Sequence, residues 1–194
     1  IEAMGVPVIT DRRPEFFRIS SRKAPHNLYA DTIELVREYI DKRGFYFNQD
    51  VDPLYDFGNN QSNWLSGANR VTIKYSDFTT VIWKIDNDQY SRFIVDGYAP
   101  DDDAVAHNFI TRDGYSDILE VPTVVVIQGP LYNDEATTLP SVLTVGVGPV
   151  KIFHNGDYIE GTWRRTDISE QFEFLDDNQE KIEIPPSKQW IHIL

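Results

Sequence analysis

The chain has 194 residues and a mass of 22.4 kDa, enough for one substantial core or two small ones. It contains no cysteine, which excludes a disulfide scaffold, thiolate catalysis and cysteine-ligated zinc or iron–sulfur centres. A net charge of −13, carried almost wholly after residue 48, opposes general binding to nucleic acid or to anionic membrane surfaces. No apolar run approaches the roughly 18 residues of a membrane-spanning helix.

In chain order, Ile1 to Ile9 reads as the end of a helix, a cap at Gly5 and the start of a strand. A chain that starts in this way, with Met4 as its sole methionine, is expected to be cut from a longer protein. Arg12, Arg13, Arg18, Arg22 and Lys23 form its one basic concentration. Residues 31–43 carry a helix pattern. Asp31 is placed as N-cap with Glu34 three positions on, Ile33, Leu35, Val36 and Ile40 form an apolar stripe, and Gly44 follows the basic end. Residues 48–69 are rich in Asn, Asp, Pro and Gly and read as a long loop that Trp64 and Leu65 pin to a core.

From Gly67 onward the pattern is that of strands. Val71, Ile73 and Tyr75 alternate with polar residues. Asp86-Asn87-Asp88, Asn155-Gly156 and Asp176-Asp177-Asn178 each separate two strand-like runs and predict hairpins, Asn155-Gly156 most strongly. Val121 to Gln128 is a nearly continuous β-branched run, the pattern of a strand buried on both faces. Trp190 to Leu194 reads as a final strand. The expected class is α+β, with one main helix near the N-terminus and the remainder largely antiparallel strands and hairpins.

Motifs with fixed chemistry fail one by one. His26, His107, His154 and His192 lack the close spacing of helical zinc pairs, and His154 and His192 fall in strand patterns that suit hydrogen-bonded structural histidines. Calcium loops starting at Asp86 or Asp101 lack the required glycine and terminal glutamate. Gly146-Val147-Gly148 is followed by Lys151 where a nucleotide fingerprint needs its third glycine, so it reads as a packing or bulge feature. Gly114-Tyr115-Ser116 lacks the closing glycine of a nucleophile elbow, since Ile118 stands there. No metal and no cofactor are expected.

Arg22-Lys23-Ala24-Pro25-His26-Asn27-Leu28-Tyr29 is different. It sets two cations, a histidine, an amide and a tyrosine just before a predicted helix N-terminus, a combination suited to a carboxylate, a phosphate or a polar sugar. A turn bent by Pro25, with Asn27 bonded to the backbone, accounts for the same residues.

That segment also resembles the central motif of the bacterial YerB-like lipoprotein family. Gly148 to Gly156, Ile159 to Arg165 and Ile184 to Ile191 are similar to further motifs of the family, in the same order. The resemblance implies an α+β fold and an exported, two-part protein tethered outside the cytoplasmic membrane through a lipidated N-terminal cysteine. On that basis residues 1–66 are expected to be the C-terminal remnant of an α/β N-terminal region, and 67–194 a strand-rich C-terminal region. The resemblance implies a location and a fold but no chemistry.

The function expected is an extracytoplasmic module that binds a polar or anionic ligand, with cell-wall material as one class. Arg22, Lys23, His26 and Asn27 would hold the ligand, Tyr29 and Trp163 would offer stacking faces, and Arg164 lies beside them in sequence. For Trp163 a core position competes with that role. Two alternatives stand beside this reading. One is a cell-wall hydrolase or transferase using His26 as general acid or base. The other is a structural domain that binds a protein partner through sheet edges or the 48–69 loop. The lack of any catalytic signature leans away from an enzyme.

Overall fold

The computed structural model describes residues 16–21, 27–31, 33, 34, 37, 52–97, 99–111, 113–135 and 140–194. The chain divides into two units, residues 1–51 with 110–116, and residues 52–109 with 117–194.

In the first unit, β1 (Phe16–Arg18) pairs antiparallel with β2 (Leu28–Ala30), and Phe17 stacks on Tyr29 with ring centroids 5.9 Å apart. Beyond β2, the Asp31 carboxylate accepts a hydrogen bond from the Glu34 backbone N–H at 3.3 Å, the N-cap geometry expected at this spacing. Ile33, Glu34 and Arg37 are helical, and the other residues of the expected 31–43 helix lie outside the described residues. The α+β expectation is corrected at the level of class: strands account for 55% of the described residues and helical ones for 4%. A local capping signal reports where a helix can start, and one such segment does not set the class of a chain in which most of the described buried residues lie on strands.

The remaining strands are β3 (Leu65–Ser66), β4 (Arg70–Ser76), β5 (Thr79–Asp86), β6 (Gln89–Asp96), β7 (Val105–Ala106), β8 (Asn108–Ile110), β9 (Ser116–Ile118), β10 (Glu120–Val121), β11 (Thr123–Ile127), β12 (Leu131–Asn133), β13 (Pro140–Val142), β14 (Gly146–His154), β15 (Asp157–Arg165), β16 (Glu173–Leu175) and β17 (Gln189–Ile193). The second unit is built on two sheets. The first runs β10-β6-β5-β4, with β7 also on β6. The second runs β16-β15-β14-β11-β17, with β3 also on β15. Every pairing in the two is antiparallel except β11 with β17, which is parallel.

The expected hairpin turns form for the expected reason. Asn87 and Asp88 both take positive φ (49° and 63°) between β5 and β6, and Asn155 and Gly156 do so (50° and 91°) between β14 and β15. Both turns have the backbone sign pattern of a type I′ hairpin, whose twist matches that of its strands. At the third turn, Asp176 accepts from the backbone N–H of Asn178 (2.8 Å) and of Glu180 (2.9 Å). The 52–64 stretch is held by Tyr55, which is 2% exposed, and by Trp64, while Leu65 is largely exposed and does not contribute the anchor expected of it.

Two cores lie on opposite faces of the second sheet. Val124 and Val126 point to one face, where they meet Val71, Ile73, Val81, Trp83, Tyr90 and Val121 of the first sheet. Val125 and Ile127 point to the other, where they meet Val150, Ile152, Ile159, Trp163 and a cover that includes Tyr55, Phe172 and Ile184. Every residue of β11 is buried, as its β-branched run predicts. Trp163 is fully buried and its indole N–H donates to the Gln128 carbonyl at 2.6 Å. Gly148 lies directly across from it, and a Cβ there would come within 2.6 Å of the indole nitrogen. The glycine pair 146 and 148 is thus partly a packing feature, as expected.

One polar network is built into the first of these cores. His192 is 1% exposed and takes a hydrogen bond from the Trp83 indole N–H to Nε2 at 2.8 Å. An indole can only donate, so Nε2 is the unprotonated nitrogen and Nδ1–H donates to the Tyr75 hydroxyl. Arg92, on β6 opposite Trp83, lies over the Trp190 ring at 4.8 Å and donates to His107 Nδ1. Burial, and then the Arg92 charge, push the His192 pKa down to about 4. His154, bonded to Thr123 Oγ1 at 2.7 Å, is also pushed down by burial.

Two expectations follow for stability. Trp163→Ala should lower the unfolding free energy by roughly 3–5 kcal/mol, read from urea midpoints, because it leaves a large cavity and an unpaired carbonyl. A small loss would mean that the second core does not depend on Trp163. For His192, the unfolded chain binds a proton below about pH 6.5, whereas the folded chain binds it only near pH 4. Stability is therefore full above pH 6.5 and falls as pH drops toward 4, by about 3 kcal/mol at the lower limit. The urea midpoint of His192→Gln should fall less than that of wild type between pH 7.5 and 4.5, with the His154 contribution common to both. Equal falls would show that His192 is not held neutral.

Candidate binding groove

β4 ends the first sheet, and among the described residues no strand pairs with its outer side. Its register with β5 settles which backbone groups that side presents. Ile85 N–H donates to the Asn69 carbonyl at 3.1 Å, and Arg70 stands opposite Lys84 in the same register. Antiparallel pairs alternate between hydrogen-bonded and non-bonded. Val71 and Ile73 therefore bond to β5, while the N–H and C=O groups of Arg70, Thr72 and Lys74 turn outward. Side chains alternate along the same strand: Val71 and Ile73 are buried in the core, whereas Arg70, Thr72 and Lys74 are exposed.

Beside this edge the inner face of the second sheet continues past the first sheet. Lys151 and Glu160 are cross-strand partners there, as are Phe153 and Tyr158, whose rings lie 6.2 Å apart. β4 as wall and these side chains as floor, with Val126 and Leu194, enclose an open groove of about 510 Å³. Arg70, Lys74 and Lys151 line it against a single carboxylate, Glu160, in a chain of net charge −13. Each cation has an exposed partner: Arg70 with Asp101 at 2.9 Å, Lys74 with Asp77 at 2.8 Å and Lys151 with Glu160 at 2.6 Å. Exposed pairs of this kind are worth about 0–1 kcal/mol, so a ligand anion can displace their carboxylates at little cost. The Lys74 ammonium holds Asp77 below the usual carboxylate range.

The residues expected to hold a ligand do not line this groove. Arg22, Lys23 and His26 lie outside the described residues. Asn27 closes the β1–β2 turn: its Nδ2 donates to the Ile19 carbonyl at 3.3 Å and its Oδ1 accepts from Arg18 at 2.7 Å. Tyr29 is half-buried against Phe17. Trp163 offers no face to a ligand, because it is fully buried in the outer-face core among Phe172, Phe174 and Ile184. Arg164 is exposed and pairs with Glu173 through Nε at 2.9 Å and through Nη2 at 2.5 Å. Four of the groove residues carry a signal in the sequence. A two-residue turn at Asn155-Gly156 fixes the β14–β15 register and so places Phe153 opposite Tyr158 and Lys151 opposite Glu160. Among the described residues, no group of three His, Asp or Glu side chains could hold a metal ion.

Comparison with known proteins fits this architecture. A search of curated proteins finds no match. The crystal structure of the YerB protein from Bacillus subtilis is similar, with a TM-score of 0.62 and 17% sequence identity. The alignment covers 93% of this chain and 56% of the YerB chain, so the present chain spans little more than half the length of that protein. At this identity the likeness is one of fold. Residues 71–191 match the family described as the C-terminal domain of the protein of unknown function DUF3048, a stretch that contains β5 to β16 and most of β4 and β17. The chain therefore belongs to the DUF3048 C-terminal-domain family and carries a YerB-like fold.

Proposed function

We propose that the domain is a binding module rather than a catalyst, that its ligand is polar or anionic, and that it works outside the cytoplasmic membrane, with cell-wall material as the class to test first. The observation that carries this reading is the open groove beside β4, where three cations and two aromatic rings meet in an otherwise acidic chain. Anionic or hydroxyl-rich ligands suit such a lining, the cations supplying charge-assisted hydrogen bonds and the rings an apolar face. The location rests on the family resemblance. The catalytic alternative has little to draw on among the described histidines. His192 is sealed in the core, and His107 and His154 are engaged with Arg92 and Thr123. That alternative rests on His26.

The test is co-sedimentation of the protein with purified cell-wall sacculi, with mass spectrometry of the supernatant. Wild type should pellet without releasing fragments. Lys74→Gln combined with Lys151→Gln should weaken capture severalfold and leave the melting temperature nearly unchanged, because only exposed pairs are lost. Arg22→Gln with Lys23→Gln tests the basic turn separately. Capture lost only in that second variant would move the site to the turn, and fragments accumulating with time would replace the binding reading with an enzymatic one.

A further inference from the structure

The groove has a feature that a small anion does not need: one wall is a strand edge with which no described strand pairs. Strand edges of this kind are templates for an incoming chain, and natural proteins guard them with charged side chains and bulges. On β4 the guard is Arg70, Lys74 and the register shift beyond Lys74, which leaves a strand of opposite charge as the one it favours. Here the outward N–H and C=O groups of Arg70, Thr72 and Lys74 form a short ladder waiting for a partner. The ladder ends at the register shift between Lys74 and Ser76. A strand added to β4 would extend the first sheet across the part of the second sheet's inner face that the first sheet leaves open.

Resting on the reading of the groove as a binding site, we propose that it also takes an extended peptide segment of a partner protein, bound as an added strand on β4, with acidic side chains at two positions four residues apart and apolar side chains between them. The spacing follows from the pleat. Residues of the added strand opposite Arg70 and Lys74 put their side chains on the same face as those cations, so acidic residues fit there. Residues opposite Val71 and Ile73 point inward to Phe153 and Tyr158, so apolar residues fit there. The incoming carboxylates replace Asp101 and Asp77 as partners of Arg70 and Lys74. Backbone pairing supplies affinity and the two alternating faces supply selectivity, the mode known as strand addition.

The probe is a fluorescein-labelled peptide with the central sequence Glu-Val-Thr-Val-Glu, titrated with the full 194-residue chain and followed by anisotropy. A Lys-Val-Thr-Val-Lys peptide is the control. Wild type should bind the acidic peptide at least tenfold more tightly than the control. Arg70→Gln with Lys74→Gln should abolish that preference. Thr72→Pro removes an outward N–H and obstructs the edge without touching the bonds to β5, since an edge strand tolerates proline where its N–H faces out. It should weaken binding of the acidic peptide at least tenfold. Should this variant melt early, the acidic peptide N-methylated at alternate amides gives the same test on wild type, with the same loss expected. Equal binding by wild type and by a well-folded Thr72→Pro, or no binding of the peptide at all, overturns the proposal. Sedimentation showing a concentration-dependent dimer that Thr72→Pro dissolves also overturns it, since the occupant is then a second copy. None of these outcomes touches the sacculus result, which judges the binding reading by itself.

Discussion

The hydrophobic burial of β11 on both faces is the constraint on which the second unit depends. Five consecutive residues, Thr123 to Ile127, lie between an antiparallel neighbour, β14, and a parallel one, β17. Because successive side chains point in opposite directions, Val124 and Val126 serve the core between the sheets while Val125 and Ile127 serve the core beyond. A polar residue at any of these four positions would leave an uncompensated group in one core or the other. Both cores therefore depend on one short β-branched segment, and the surfaces of the unit are arranged around it.

The groove is a by-product of how unequally the two faces of the second sheet are covered. Segments 52–64 and 166–188 contribute Tyr55, Phe172, Ile182 and Ile184 to close the outer face. On the inner face the first sheet stops at β4, and β14 and β15 run on beyond it. Lys151 and Glu160 occupy that open ground with half-covered aromatics beside them. Buried His192 belongs to a different class of feature. It is fixed in one tautomer by an indole that can only donate, and it contributes to the packing of the first core rather than to any exchange with solvent.

What could be read in the sequence divides along the line between local and non-local information. The turns at Asn87-Asp88 and Asn155-Gly156 were legible because positive φ is a demand on the turn residues themselves. Double burial of β11 was legible from its unbroken β-branched run. Capping of Glu34 by Asp31 was legible as well, but a cap marks one helix start and does not decide a fold class. The parallel pairing of β11 with β17 was not legible, since nothing near Thr123 specifies Gln189. Nor was the role of Trp163. Strand alternation separates Trp163 from its neighbours, but whether its face meets solvent or a second layer depends on Phe172, Phe174 and Ile184, which arrive later in the chain. Of the candidate site, the chemistry of single residues could be judged, whereas the groove required knowing where one sheet ends over another.

The β11–β17 ladder also bears on the order in which the unit assembles. β4–β5, β5–β6 and β14–β15 close through two-residue turns and need little chain entropy to form. β17 must find β11 across all the residues between Ile127 and Gln189, and its five pairs reward that search only once β14 is in place on the other side. Closure of the inner core by Trp190 therefore waits on that search. A pairing with so large a closing cost weighs on the rate of folding as well as on stability. Assembly of the domain would thus be paced by contacts that no local turn can bring together.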